Sequence, residues 1–146
     1  MVVTAPLTGV AVPLQGVPDP VFAQSLVGPG VAITPVARVQ TVLAPIAGRL
    51  VKLKPHAFVV QGETGAVLVH LGIDTIQLDG TVSEPIAAEG QLLAAGDPVA
   101  RWHPELVIEA GLNPVCPVIV LESSSRVVQI LAEGPVEAGA PLFSWT

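Results

Sequence analysis

Short apolar runs separated by proline and glycine dominate the hydrophobic pattern of this chain. The runs are rich in valine, isoleucine and leucine and cover residues 31–33, 50–53, 58–60, 67–71, 117–121 and 127–131. The 15 Pro and 14 Gly are spread along the whole length, and helix interiors tolerate neither residue. Many short strands separated by turns predict an all-β fold, namely an antiparallel β-sandwich or barrel.

One segment, residues 19–27, departs from the strand pattern. Asp19 is a favoured N-cap residue, and Phe22 and Leu26 follow it at helical spacing. We therefore expect a single helical turn here, capped by Asp19, and at most short helical turns elsewhere.

Two internal repeats indicate that the sandwich is built from duplicated strand–turn units. Residues 5–9 (APLTG) match residues 44–48 (APIAG), and an apolar strand follows each copy. A second motif, Glu-Gly followed by Gly-x-Pro and a strand that leads to a tryptophan, occurs at 89–102 and again at 133–145. Repeats of this kind favour a duplicated hybrid motif.

Length and composition predict one compact domain, residues 1–146. Hydrophobic residues make up 51% of the chain and charged residues 12%, against about 25% in an average domain. The net charge of −6, with six Lys and Arg, argues against nucleic acid as a partner, because phosphate binding needs clustered basic residues.

A cytoplasmic location is expected. No apolar stretch approaches the roughly 18–20 residues that span a bilayer, and the first residues lack the basic and apolar regions of a secretory signal. The single Cys116 cannot form an internal disulfide, and we expect it to be packed in a strand and unreactive.

Two histidines, His56 and His70, lie among apolar residues of strand type. Strand alternation places His70 on one face with Leu68, opposite the valines of the same run, and places His56 on one face with Phe58. If the valine-rich faces form the core, these four side chains point outward and form an apolar patch around two imidazoles, which is typical of a partner site. The alternative, that each histidine is a hydrogen-bonded core or edge residue, is equally compatible with the pattern.

Several short motifs together resemble the glucose-type enzyme IIA domain of the bacterial phosphoenolpyruvate:sugar phosphotransferase system. In order along the chain they are Phe22-Ala23, Val27-Gly28 with Gly30, Ala44-Pro45, His56-Ala57-Phe58 and the heptapeptide VHLGIDT at 69–75. The Glu-Gly…Gly-Asp segment near Glu89 and the Pro-Val-Ile stretch at Pro117 continue the match. The resemblance covers nearly the whole chain.

The resemblance implies a β-sandwich that works as a phosphocarrier, and therefore as a phosphotransferase component. His70 would accept a phosphoryl group through Nε2 from the small carrier protein HPr and pass it to a cysteine on the IIB domain of a sugar permease. His56 would help to hold the phosphoryl oxygens. No metal or other cofactor is implied, and the domain would contact the membrane only through the permease.

Further site residues follow from the same resemblance. Asp19 and Asp74 match carboxylates at the rim of the site, although a helix cap and a turn former are equally natural roles for them. An apolar ring on which HPr and the permease domain would dock is matched by Phe22, Val27, Phe58, Leu68 and Ile76. Ordinary core packing is the alternative for each member of the ring.

The segment before His56 departs from the family pattern. Between Gly48 and His56 the chain is about two residues shorter, and Lys54, followed by Pro55, replaces a threonine whose hydroxyl orients the first imidazole. Lys52 and Lys54 could place positive charge near a phosphate, but a solvated strand face is the simpler interpretation.

Two other functions are compatible with parts of the sequence. A zinc hydrolase could draw ligands from the two histidines and Asp74, but related zinc peptidases share a His-x-His pair, and Gly72 occupies that place here. A regulatory module, whose phosphorylation state is read by target proteins, is compatible with a phosphocarrier. His103 has no matching catalytic partner and is expected to be a surface loop residue.

Overall fold

The computed structural model describes residues 1–25, 27–78, 80–121 and 127–146. Their strands are β1 (Val2–Thr4), β2 (Gly9–Pro13), β3 (Gly30–Pro35), β4 (Gln40–Leu43), β5 (Gly48–Lys54), β6 (Ala57–Gln61), β7 (Ala66–His70), β8 (Ser83–Pro85), β9 (Leu92–Leu93), β10 (Pro98–Trp102), β11 (Cys116–Val120), β12 (Val128–Ile130), β13 (Gly134–Val136) and β14 (Pro141–Trp145). Short helices are α1 (Pro20–Ala23) and α2 (Pro104–Glu109), and single 3₁₀ turns cover Leu14–Gly16 and Thr75–Leu78.

The strands form one large and two small antiparallel sheets, which confirms the predicted all-β class. The large sheet has the order β13-β2-β3-β11-β7-β6-β5-β9, and the small sheets have the orders β1-β14-β12 and β4-β10-β8. The helical turn capped by Asp19 is present as α1, while Leu26 lies outside the described residues. Helix α2 was not predicted, because Pro104 favours the first helical turn but the preceding His103 is not a strong cap.

The duplication predicted from the two APxxG motifs is visible in the backbone hydrogen bonds. Thr4 N–H donates to Pro45 O over 2.9 Å, and Leu43 N–H donates to Pro6 O over 2.8 Å, so the two copies bond each other reciprocally. The order of the large sheet repeats the same relation, since β2-β3-β11 on one side corresponds to β5-β6-β7 on the other. The central strands β11 and β7 pair with each other.

Two apolar clusters stabilise the fold on opposite faces of the large sheet. The main cluster contains both tryptophans, Trp102 and Trp145, and the valine-rich faces of the strands. A smaller cluster lies under α1 and the first 3₁₀ turn and contains Leu14, Phe22 and Ile119. Because this second cluster covers the outer face of β11, every residue of β11 is buried.

Candidate functional site

Strand β7 carries His70 at its end and has the alternation that the sequence predicted. Val67 and Val69 are fully buried in the main core, while Leu68 and His70 on the other face are partly buried. The outer face of β7 therefore presents an imidazole beside an apolar side chain.

The backbone after β7 fixes the ring of His70. Its Nδ1 lies 2.5 Å from the carbonyl oxygen of Gly72. Since a carbonyl oxygen only accepts, Nδ1 must carry the hydrogen, and Nε2 keeps its lone pair when the ring is neutral. Gly72 has a φ of +84°, and a Cβ added there would lie 2.6 Å from Cγ2 of Thr75, so the position requires glycine. Sequence reasoning missed this acceptor; its signal was a glycine two residues after a strand-end histidine.

His56 lies in a two-residue hairpin turn between β5 and β6. Lys54 pairs with Ala57 across the hairpin, which leaves Pro55 and His56 as the connection. Ala57 in turn pairs with His70 on β7. The carbonyl oxygen of His56 accepts a 2.7 Å hydrogen bond from the backbone N–H of Leu71, directly after His70. The turn is thereby held against the end of β7.

The two imidazole rings lie together. Their centroids are 5.4 Å apart with planes at 63°. Phe22 of α1 contacts His70 from another direction, with centroids 5.2 Å apart. Helix α1 begins where it does because a side-chain oxygen of Asp19 accepts a 3.0 Å hydrogen bond from Val21 N–H.

The surroundings favour neutral imidazoles. Burial is the largest cause that lowers the pKa of His70 and is opposed by the Gly72 hydrogen bond; the charge of His56 lowers this pKa further, while Asp19 and Asp74 raise it. Burial and then the charge of Lys54 lower the pKa of His56. A neutral imidazole has the free lone pair that a nucleophile needs.

The prediction that Phe58 points outward with His56 is wrong. Phe58 is 1% exposed and pairs with Val69, on the core face of the sheet. Strand alternation does not extend from Phe58 to His56, because His56 belongs to the turn and the strand begins at Ala57. Phe58 therefore presents no surface to a partner.

The other predicted ring residues, Phe22, Val27, Leu68 and Ile76, differ in their exposure. Phe22 is 7% exposed, Val27 and Leu68 pack partly buried against the cluster beneath α1, and Ile76 is 68% exposed. Asp74 is exposed, with a φ of +60°, in the bend after Gly72. These four side chains, without Phe58, remain as candidates for a docking surface.

Residues 48–56, which lead to His56, include no hydroxyl-bearing side chain. Within the described ranges, neither ring nitrogen of His56 has a hydrogen-bond partner. Lys52 and Lys54 are exposed. His56 is thus held through its backbone carbonyl group, which accepts from Leu71 N–H. His70 is held both by its backbone pairing in β7 and by the hydrogen bond of its ring to Gly72 O.

The sequence assigned no catalytic role to Cys116 and His103. Cys116 is fully buried, as predicted, and burial raises the pKa of its thiol. His103 caps no helix hydrogen bond, but its two ring nitrogens each lie 3.2 Å from a carboxylate oxygen, of Glu84 and of Glu105. The contact with Glu84, which is 19 residues away, has no signal in the sequence, whereas Glu105 is only two residues from His103.

Within the part of the chain that the structure describes, no three His, Cys, Asp or Glu side chains are grouped so as to hold a metal ion. No helix in the same ranges is long and apolar enough to cross a membrane.

Comparisons with known proteins agree with this geometry. The family described as phosphoenolpyruvate-dependent sugar phosphotransferase system, EIIA 1, matches residues 1–126. The chain is 36% identical over 139 residues to the PTS system glucose-specific EIIA component of Staphylococcus aureus (strain Mu50), covering 92% of this chain and 82% of that protein. It is 40% identical over 121 residues to the glucose-specific EIIBCA component of Corynebacterium glutamicum, covering 81% of this chain and 18% of that protein.

A solved structure is similar over almost its whole length. Glucose permease IIA from Mycoplasma capricolum matches with a TM-score of 0.90 and 30% identity, covering 98% of this chain and 94% of that one. Nothing in these comparisons supports the zinc hydrolase alternative. The chain belongs to the EIIA family of the phosphoenolpyruvate-dependent sugar phosphotransferase system and is a phosphocarrier component of sugar uptake.

Proposed function

We propose that His70 is the phosphoryl acceptor, taking the group from phosphorylated HPr on Nε2 and passing it to the IIB domain of a sugar permease. The observation that carries this proposal is the hydrogen bond from Nδ1 to Gly72 O. It selects the tautomer whose lone pair is on Nε2, in a ring whose centroid lies 5.4 Å from that of His56.

The transfer needs one bond made and one broken. The Nε2 lone pair of His70 attacks phosphorus, and the bond between phosphorus and the carrier's nitrogen breaks, its electron pair staying with the carrier. The second transfer repeats this step, with a cysteine thiolate of the IIB domain as attacking group and His70 as leaving group. Little covalent chemistry is left for the protein, because phosphoryl transfer depends mostly on positioning and charge stabilisation.

His56 acts on the phosphoryl oxygens rather than on phosphorus. Its ring is close to His70, and its lowered pKa favours the neutral form, which still has one N–H to donate. By analogy with single oxyanion donors, such a hydrogen bond is worth about 3 kcal/mol in a transition state. Asp19 and Asp74 bias the charge balance at His70.

The docking surface is formed by Phe22, Val27, Leu68 and Ile76 around the paired rings. A patch this small suits a partner that must be exchanged after each transfer. The C. glutamicum relative, an EIIBCA component of which the match covers 18%, supports a IIB domain as one partner. We propose that residues 1–146 work as one domain in the cytoplasm; contacts with regulatory target proteins stay a prediction.

The test is phosphoryl labelling from phosphoenolpyruvate with enzyme I and HPr. The protein should gain one acid-labile, base-stable phosphoryl group, and His70→Ala should abolish labelling. His103→Ala, which removes the histidine between Glu84 and Glu105, is the matched control and should label normally. Labelling that survives in His70→Ala would refute the assignment.

His56 is tested by the second transfer. His56→Gln should accept the phosphoryl group from HPr but fail to deliver it to the IIB domain, because the amide can donate an N–H but its flexible side chain does not hold that donor where the imidazole holds its own. The measurement is release of label on adding the IIB domain. Full sugar uptake with this variant would remove His56 from the mechanism.

A further inference from the structure

Lys54 flanks the hairpin turn that carries His56. It is the last residue of β5, and the shortened connection of only Pro55 and His56 brings it directly opposite Ala57. A longer loop would separate this strand end from the histidine. The two-residue turn therefore keeps Lys54 close to His56.

The register places Lys54 in one lateral row with His70. Lys54 pairs with Ala57, and Ala57 pairs with His70, across three adjacent strands. Directly opposed residues of antiparallel strands project from the same face, so all three side chains are on the outer face. Two strand spacings separate Lys54 from His70, about 10 Å between Cα atoms. Only the methyl group of Ala57 lies between them in this row.

The ammonium group of Lys54 is free to approach a ligand. The residue is exposed, and within the described ranges it forms no ion pair. Its charge already acts on the neighbouring ring, since it contributes to the lowered pKa of His56. The charges that act on His70 itself are those of His56, which lowers its pKa, and of the carboxylates of Asp19 and Asp74, which raise it and would repel a phosphoryl group. A phosphorylated His70 thus needs a cation, and Lys54 is placed to supply one.

We propose that Lys54 stabilises the phosphorylated form of His70 by holding its ammonium group beside the phosphoryl oxygens, in place of the hydroxyl that this segment lacks. This inference rests on the proposed function. It assigns to Lys54 an electrostatic role that only the phosphorylated state requires. A lysine suits the role because its compact charge sits on a flexible stem that reaches across the row.

The experiment measures the equilibrium constant of phosphoryl exchange with HPr. This constant compares only the phosphorylated and free states, so changes in HPr docking alter the rate but not the constant. Removing one charge about 4 Å from a dianion in a solvated site, screened by physiological salt, should lower the constant about tenfold in Lys54→Met. Lys54→Arg keeps the charge and should stay within about twofold of the wild type.

Lys52→Met is the matched control. It removes the same charge from the same strand face, but Lys52 pairs with Val59 two rows away, and Val59 pairs with Leu68 rather than with His70. Its equilibrium constant should fall less than that of Lys54→Met, and increasing salt should shrink the effect at Lys54. An unchanged constant in Lys54→Met, an equal loss in Lys52→Met, or no rescue by arginine would each overturn the inference while leaving His70 as acceptor. A wild-type protein that takes no label from HPr would instead overturn the proposed function itself.

Discussion

The two halves of the large sheet have the same strands but different connections. In one half, β2 and β3 are joined by residues 14–29, which include a 3₁₀ turn and α1. In the other half, the corresponding β5 and β6 are joined by two residues, Pro55 and His56. Each connection contributes a ring that lies against His70. The ring centroid of Phe22, in the first connection, is 5.2 Å from that of His70, and the ring centroid of His56, in the second, is 5.4 Å from it.

This difference decides which strand is covered. The central strands β11 and β7 are equivalent in the duplication, and Ile119 pairs with Leu68 across them. The long connection packs over β11, so that Ile119 is fully buried, while the short hairpin leaves Leu68 and His70 partly accessible. A duplicated scaffold thus becomes asymmetric through its loops, and the reactive histidine lies at the border between the covered and open halves.

The largest effect is expected from removing Phe22, the aromatic side chain that contacts the ring of His70. Phe22→Ala and Phe58→Ala both empty a buried site and should each lower the free energy of unfolding by about 3 kcal/mol. Only Phe22→Ala should also raise the pKa of His70, because burial is the main cause that lowers it and Phe22 contacts the ring. Denaturant unfolding and NMR titration of the imidazole measure the two effects. Equal pKa changes in both variants would contradict the assignment of the cover to Phe22.

The equivalence of the two halves is tested at their shared glycines. A Cβ at Gly9 would lie 2.1 Å from Thr34 O, and one at Gly48 would lie 2.2 Å from Gln61 O. Gly9→Ala and Gly48→Ala should therefore each cost about 2–3 kcal/mol in unfolding free energy, with Gly48→Ala at the upper end because Gly48 alone of the two has a φ of +156°. Gly16→Ala, which meets no atom within 4 Å, is the control and should cost nothing. A large difference between Gly9 and Gly48 would show that the duplication is not maintained energetically.

Substitutions of Asp19 distinguish its role as the N-cap of α1 from the effect of its charge on the pKa of His70. Asp19→Ala should lower stability by about 1 kcal/mol, because the N–H of Val21 loses its acceptor. Asp19→Asn keeps a capping oxygen and should retain most of that stability, yet both variants should lower the pKa of His70, since the carboxylate raises it. The readouts are thermal unfolding and imidazole titration. If Asp19→Asn left the pKa of His70 unchanged, the carboxylate would have no electrostatic role.

The smallest expected effect is the pH dependence of stability. Because the pKa values of His56 and His70 are lowered on folding, the unfolded chain binds more protons below its own pKa of about 6.5. Stability from these rings is therefore complete above that pH and is lost as the pH falls. Urea unfolding at pH 7.5 and 5.5 should show a smaller loss in His70→Gln than in the wild type. An identical loss in both would mean that His70 does not contribute to the acid sensitivity.

Local patterns predicted much of the scaffold correctly. The capping role of Asp19, the alternation along β7 and the packed state of Cys116 depend on neighbours in sequence, and all three were predicted. The orientation of Phe58 was not, because the alternation rule was applied through a turn. The acceptor Gly72 O was missed because every residue has a carbonyl group, and the glycine two residues after His70 marks only a backbone position at which such a bond can form.

The sequence alone determined that this chain forms short strands in two repeated units, with His70 on the outer face of one of them, because strand periodicity assigns each side chain to a side. Only the tertiary structure decided which outer face is covered and which two rings meet. Both depend on how residues distant along the chain pack together, as Phe22 and His56 do around His70. Periodicity specifies the side of a strand, but it carries no information about what packs against that side.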